Sequence, residues 1–295
     1  MPSLFFNLNG ASHEVELYPD LAPKTIGKLV ASLPAKLDIH CAKIAGQHIF
    51  WHAPIVADIE KAQDILTLPP GTFLYWPERQ FLELIYGELQ AEKAQVCVLG
   101  RLKGDIGWLK EFGRHVVENH GQGLILAELT AAPDALPLAA KEKPLSSPGL
   151  VALREARKAI WQEAPEEMFT LLKREGMMLP YGPLAMAEGE LRKLHELLWR
   201  LRGGGHGIDA GNRGEVIAFL IEAFNARIDG FCGLHEIGAR LESAKSLLAQ
   251  PETVDDVVEE LILYTGRAAA WLDAYIPWNA LNVATLVSLQ RQGVR

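Results

Sequence analysis

The sequence predicts an α+β protein: a β-barrel carrying two helices, followed by an all-α helical bundle. Three observations predict it. Over roughly the first 130 residues, short runs alternate apolar and polar positions, the period of strands. Residues 131–149, AAPDALPLAAKEKPLSSPG, carry four prolines and no hydrophobic period, the mark of a linker. After them, apolar residues recur three and four apart, the period of amphipathic helices. The expected boundaries are a barrel domain at 1–132, a linker at 133–149 and a bundle at 150–295.

In chain order, LFFNLNG (4–10) and HEVELY (13–18) open the barrel, the second alternating Val15 and Leu17 with Glu14 and Glu16. KLDIHCAKI (36–44), QHIFW (47–51), TFLYW (72–76), LELIYG (82–87), QVCVLG (95–100) and GLILAEL (123–129) continue it, separated by Gly, Pro and Asn. Two helices interrupt. The first covers 22–33, with Pro23 near the first turn, where a missing N–H costs nothing. The second covers 107–120, with Gly121 as its stop. Short strands with two helices predict a closed or partly closed barrel plugged by helices. In the bundle, one face carries Leu191, Leu194, Leu198 and Leu201, and another carries Val216, Phe219, Leu220, Ala223 and Phe224. A third carries Val254, Val257, Val258, Leu261 and Ile262, behind a Thr253/Asp256 capping pair. No internal repeat is visible.

The composition narrows the function. Hydrophobic residues make up 49% and charged residues 22% of 295, a globular balance. No apolar run is long enough to span a membrane. MPSLFFNLNG has no basic region ahead of an apolar stretch, so no secretory leader is expected and the cytosol is the expected compartment. Cys41, Cys97 and Cys232 lie far apart, which favours neither a disulfide framework nor a zinc knuckle. A net charge of −8 with no basic block argues against a nucleic-acid partner. An acidic chain with this many apolar helix faces is expected to form a homo-oligomer, a dimer or tetramer.

The richest stretch is HCAKIAGQHIFWH (40–52). On a strand, positions 48, 50 and 52 face the same way. His48 and His52, joined by His40 across the hairpin, have the makings of a metal site. No carboxylate sits at a familiar spacing, so a metal is disfavoured. In TLPPGTFLYWPERQFLELIYGE (67–88), Tyr75, Trp76 and Tyr86 supply aromatic walls with polar tips. Glu83 shares a side with Ile85, opposite Leu82, Leu84 and Tyr86. Turned inward it is an acid–base candidate; turned outward it is an ordinary solvated residue. GGGHGIDAGNRGE (203–215) lacks a phosphate-loop ending and reads as a helix connection with Asn212 as N-cap, leaving His206 and Arg213 as minor site candidates. GMMLPYGP (176–183), with Tyr181, reads as a stiff connector packing on something, and YIPWNALN (275–282) as another helix junction. No nucleophile elbow, H-E-x-x-H or dinucleotide fingerprint is present, so an NAD(P)H enzyme is not expected.

The opening FNLNGASHEVELYPDLAPKTIGKLVASLP (6–34) resembles the start of cyclophilins, with Asp20, Pro23, Lys24 and Thr25 at the entry to the first helix. The Phe-His-Arg and Gln-Gly-Gly stretches of that family are missing, so prolyl isomerisation is not implied. PPGTFLYWP…ELIYG resembles small bacterial cyclophilin-like proteins, which use the barrel to hold small molecules. A cyclophilin-like barrel followed by a helical bundle, at this length, resembles the cucumopine (mikimopine) synthases. That resemblance implies condensation of L-histidine with 2-oxoglutarate by a Pictet–Spengler ring closure, with no NAD(P)H and no other cofactor.

Such chemistry needs cations for carboxylates, a dry pocket for an imine, and an acid–base group used twice. By residue type and placement, Lys43 is the carboxylate partner, with Arg101 and Arg79 behind it. Trp51, Tyr75 and Trp76 are candidates to stack on the substrate ring, with His52, Tyr86 and Tyr181 as further lining. His48, His40 or Glu83 moves protons. A Schiff base on Lys43 ranks lower, because the substrate supplies its own amine. Two other readings stand beside this one: a non-catalytic small-molecule binder, and a metal enzyme built on His40, His48 and His52.

Overall fold

The computed structural model describes residues 2–90, 94–132, 144–145, 147–173 and 181–293, the side chains of 204–206 excepted. Among the described residues, ten strands form one antiparallel sheet. They are β1 (Ser3–Leu8), β2 (Ala11–Leu17), β3 (Ala35–Asp38), β4 (His40–Cys41), β5 (Gly46–His52), β6 (Ala62–Asp64), β7 (Thr72–Trp76), β8 (Phe81–Leu89), β9 (Gln95–Leu102) and β10 (Leu126–Ala131). Their order is β3-β10-β1-β2-β9-β7-β8-β5-β4, with β6 also paired to β9. The outermost strands, β3 and β4, are separated in the chain only by Ile39, so the two edges are drawn together and the sheet is a nearly closed barrel. The β1–β2 hairpin turns at Asn9-Gly10, both at positive φ (49° and 82°), the twist a two-residue turn requires.

Helices α1 (Pro23–Ala31) and α2 (Gly107–Asn119) plug the barrel. Ile26 and Leu29 of α1, with Leu109, Phe112 and Val116 of α2, pack among Leu4, Phe6, Val15, Leu17, Ile49, Trp51, Phe73, Tyr75, Leu82 and Leu84. The Glu60 carboxylate accepts the Lys24 and Thr25 backbone N–H groups at 3.0 and 2.8 Å, satisfying orphan donors at the start of α1. A second apolar cluster lies on the opposite face of β5, β7 and β8: Phe50, Ile65, Leu74, Trp76, Phe81, Ile85, Ala94 and Val96. These three strands are therefore buried on both faces, which decides where the site lies.

By proximity the chain divides into two compact units, Met1–Lys141 with Ala274–Arg295, and Glu142–Asp273. The second holds α3 (Pro148–Gln162), α4 (Glu166–Leu172), α5 (Tyr181–Leu201), α6 (Ala210–Ile228), α7 (His235–Leu248) and nearly all of α8 (Val254–Ala274). α9 (Trp278–Arg291) groups with the barrel unit, beyond the division drawn at 149/150 from the sequence. Residues 133–143 and 146 of the expected linker, and 176–180 of the expected connector, lie outside the described residues.

Within the second unit, the α8 stripe is buried as expected. The expected α6 face is corrected. Val216 and Phe219 are 41% and 69% exposed, and Ile217, Ile221 and Ile228 point inward instead. The reason is Gly214, where an added Cβ would lie 2.2 Å from the Leu248 carbonyl oxygen. That close approach sets which side of α6 meets α7. The α6 N-cap is Asp209, not Asn212; its carboxylate accepts the Asn212 N–H at 3.1 Å. Arg213 pairs with Asp255 at 2.9 Å.

Candidate functional site

Alternation along β5 puts His48, Phe50 and His52 on one face, with Ile49 and Trp51 on the barrel side. The register then builds a row across the sheet. His40 of β4 lies opposite Phe50, Phe50 opposite Glu83 of β8, and Glu83 opposite Leu74 of β7. His48 is diagonal to Glu83, within reach of a long side chain. Its Nε2 stands 3.5 Å from the Glu83 Oε2, and both residues are buried. Burial, and then the positive charge of Lys43, push the His48 pKa down to about 4, so at neutral pH its imidazole is uncharged.

Around this pair stands an aromatic wall. Phe50 and Phe81 stack at 4.1 Å, and His52 meets Phe81 edge-on at 4.8 Å. Trp76 meets Phe81 at 6.4 Å, with the Arg79 guanidinium 5.4 Å from the Trp76 ring centre. His40 stacks on Phe50 at 5.2 Å and places Nε2 3.2 Å from the Asp38 carboxylate. The His40 ring lies 5.6 Å from that of His52 and 5.7 Å from that of His120, whose Nδ1 donates to the Ile276 carbonyl at 3.1 Å. The Lys43 ammonium sits 5.3 Å over Phe50 and 5.6 Å over Trp278.

So the structure brings together His48, Glu83, Lys43, His40, His52 and Trp76, on the outward face of the barrel. It separates others. Trp51 and Tyr75 lie inside the barrel: Trp51 stacks on Phe73 at 5.9 Å, and the Tyr75 hydroxyl donates to the Ile55 carbonyl at 3.0 Å. Both therefore belong to the packed cluster inside the barrel and not to the row. Arg101 donates to the Pro70 carbonyl at 3.1 Å and stands apart from the row. Tyr181 opens α5 in the second unit. His40, His48 and His52, considered above as metal ligands, do not bring three ligand atoms within 4.8 Å of one another.

Tyr86 lies in the second half of β8 and borders a hollow of about 570 Å³ together with Lys43, Gln47, Gln90, Lys110 and Arg114. Burial pushes its phenol pKa up, so it stays a neutral donor. Sequence reasoning missed Phe50, Phe81, Asp38, His120, Lys110 and Arg114. Phe50 and Phe81 share parity with His48 and Glu83, a signal that was present. His120 terminates α2 and gave none.

Fold and site together define a barrel-and-helix protein of the α+β class, with a buried histidine–carboxylate pair on an aromatic wall. Among solved structures, the chain is similar to McbB, determined in complex with tryptophan, with a TM-score of 0.76 at 20% identity over 94% of this chain and 98% of that one. The fold is shared along nearly the whole of both chains. The solution structure of the hypothetical protein AF2241 from Archaeoglobus fulgidus matches at 22% identity over 44% of this chain and 95% of that one, with a TM-score of 0.34, too low to imply a common fold. No family model and no curated protein matches the sequence. Among the described residues, no helix is long and apolar enough to cross a membrane.

Proposed function

We propose that the protein is a Pictet–Spengler condensing enzyme that joins an aromatic α-amino acid to a 2-oxo acid, with L-histidine and 2-oxoglutarate as the pair. The observation that carries this reading is the buried His48–Glu83 pair at 3.5 Å beside the Phe50–Phe81 wall. The amine adds to the ketone, and the resulting hydroxyl leaves as water once a proton reaches it. The ring carbon of the amino acid then attacks the iminium carbon. The ring proton finally leaves, restoring aromaticity. One proton is delivered and one is returned, so a single acid–base pair closes the cycle, and no redox partner enters. Glu83 is assigned the proton transfers. His48, neutral at working pH, hands the proton to and from it. The aromatic wall holds the planar ring of the amino acid and excludes water, which would hydrolyse the imine.

The tryptophan bound by McbB, which shares this fold, favours a second candidate amine, one bearing an indole. The experiment is to incubate the full chain with 2-oxoglutarate and either L-histidine or L-tryptophan, and to seek the dehydrated 1:1 adduct by mass spectrometry. The expected result is an adduct with one amine, formed roughly 10²–10⁴-fold more slowly by Glu83→Gln. No adduct above the uncatalysed level with either amine overturns the reading. Thermal stabilisation by these compounds without product would assign a non-catalytic binding role instead.

A further inference from the structure

We infer that the hollow bordered by Lys43, Gln47, Tyr86, Gln90, Lys110 and Arg114 is a binding site for a dicarboxylic oxo acid. This rests on the condensation reading above and names where its carbonyl partner is held. Three cations from two separate parts of the barrel unit face one hollow of about 570 Å³: Lys43 from the β4–β5 hairpin, and Lys110 with Arg114 from α2. Lys110 and Arg114 are four apart, so they project from one side of the helix. Among the described residues, neither side chain has an ion-pair or hydrogen-bond partner, whereas Arg154, Arg157, Arg192 and Arg213 each meet a carboxylate.

Among the described residues, no Asp or Glu lines the hollow. In a chain with 37 acidic and 29 basic residues, a concave site whose charged described lining is cationic is a focused positive field within an acidic molecule. The remaining polar groups suit a carboxylate and a ketone. The Tyr86 hydroxyl stays protonated, and Gln47 and Gln90 bring side-chain amides. The planar fork of Arg114 matches a carboxylate better than a spherical anion. Lys43 ties the hollow to the acid–base pair. It borders the hollow, lies over Phe50, and its charge is felt at His48.

Calorimetric titration of the full chain with 2-oxoglutarate tests this, with phosphate as the competing anion and Arg101→Ala as a control outside the hollow. Lys110→Ala and Arg114→Ala are each expected to weaken binding by about tenfold, the loss of one charge-assisted hydrogen bond. Both side chains are exposed, so unfolding temperatures should not move. Arg101→Ala should bind as the wild type does, and phosphate should fail to displace the oxo acid. Unchanged affinity in both variants, or equal binding of phosphate, overturns the site. The two proposals fail separately. Binding that depends on Lys110 and Arg114 without any product would leave the site standing and remove the reaction. Product formation with an unchanged KM for the oxo acid in both variants would do the reverse.

Discussion

His48 is a histidine that its surroundings keep uncharged, and that has a thermodynamic consequence. Its pKa is about 4 in the folded chain, first through desolvation and then through Lys43, against 6.5 when unperturbed. As pH falls from 6.5, the unfolded chain takes up a proton that the folded chain refuses until about pH 4. Stability therefore falls with falling pH across that window and stops responding to this group below it. The size is about 3 kcal/mol, from a shift of roughly 2.5 units at 1.36 kcal/mol each. Urea unfolding of the wild type and His48→Gln at pH 7, 5.5 and 4.5 reads most of it: the wild type should lose about 2 kcal/mol more than the variant between the extremes. Parallel losses would mean that His48 is not held neutral. At this scale the sequence was informative about parity and silent about register. Alternation alone groups 48, 50 and 52 and sets Glu83 beside Ile85. That His40, Phe50, Glu83 and Leu74 form one row depends on how four strands align, which no local pattern encodes.

Elements decide which of those residues share a space. The strand runs were legible as short β-branched and aromatic segments bounded by Gly, Pro and Asn, and TFLYW (72–76) matches β7 end to end. Which face held the candidate site was not legible, because β5, β7 and β8 bury both faces and so lack the polar side that would orient them. That is why Trp51 and Tyr75, aromatic like Phe50 and Phe81, fall on the wrong side of the sheet for the row. Lys110 and Arg114 escaped notice because exposed cations four apart on a helix look like ordinary solvated surface. The seating of α2 on the barrel is set by Gly113, where an added Cβ would lie 2.4 Å from the Tyr86 ring. Helix propensity would reward alanine by about 1 kcal/mol, but overpacking of this kind costs about 1–3 kcal/mol. The clash should win, because three carbons of the buried Tyr86 ring would lie within 3.0 Å of the added Cβ. Gly113→Ala is expected to be destabilised in urea unfolding and to show a raised KM for the oxo acid. Gly189→Ala, at a helical position with nothing within 4 Å of the added Cβ, should be neutral or stabilised by about 1 kcal/mol. Equal behaviour of the two variants would show that α2 does not need the glycine to sit against Tyr86.

For the whole molecule the proposed reaction raises the question of how a chain of net charge −8 would take up a dianionic partner. At physiological ionic strength the screening length is about 8 Å, so acidic groups farther away contribute little repulsion while cations lining the hollow still act at contact range. Adding salt then screens mainly the local attraction. In the proposed reaction the amino acid partner is a zwitterion whose affinity would come from ring burial against Phe50 and Phe81, a contact that salt does not weaken. The two substrates should therefore respond differently. Raising the salt from about 0.05 to about 0.5 M shortens the screening length from somewhat above 10 Å to between 3 and 8 Å. Across that range the KM for 2-oxoglutarate should rise severalfold while the KM for the amino acid stays within a factor of about two. In Lys110→Ala/Arg114→Ala the oxo-acid KM should begin high and lose most of its salt response, since the charges being screened are gone. Steady-state kinetics at four salt concentrations decides it. A rise shared equally by both substrates would point to a general effect of salt on the fold. A flat oxo-acid KM would mean that apolar or neutral contacts hold the oxo acid, and that the cations of the hollow serve only the solubility of the barrel end.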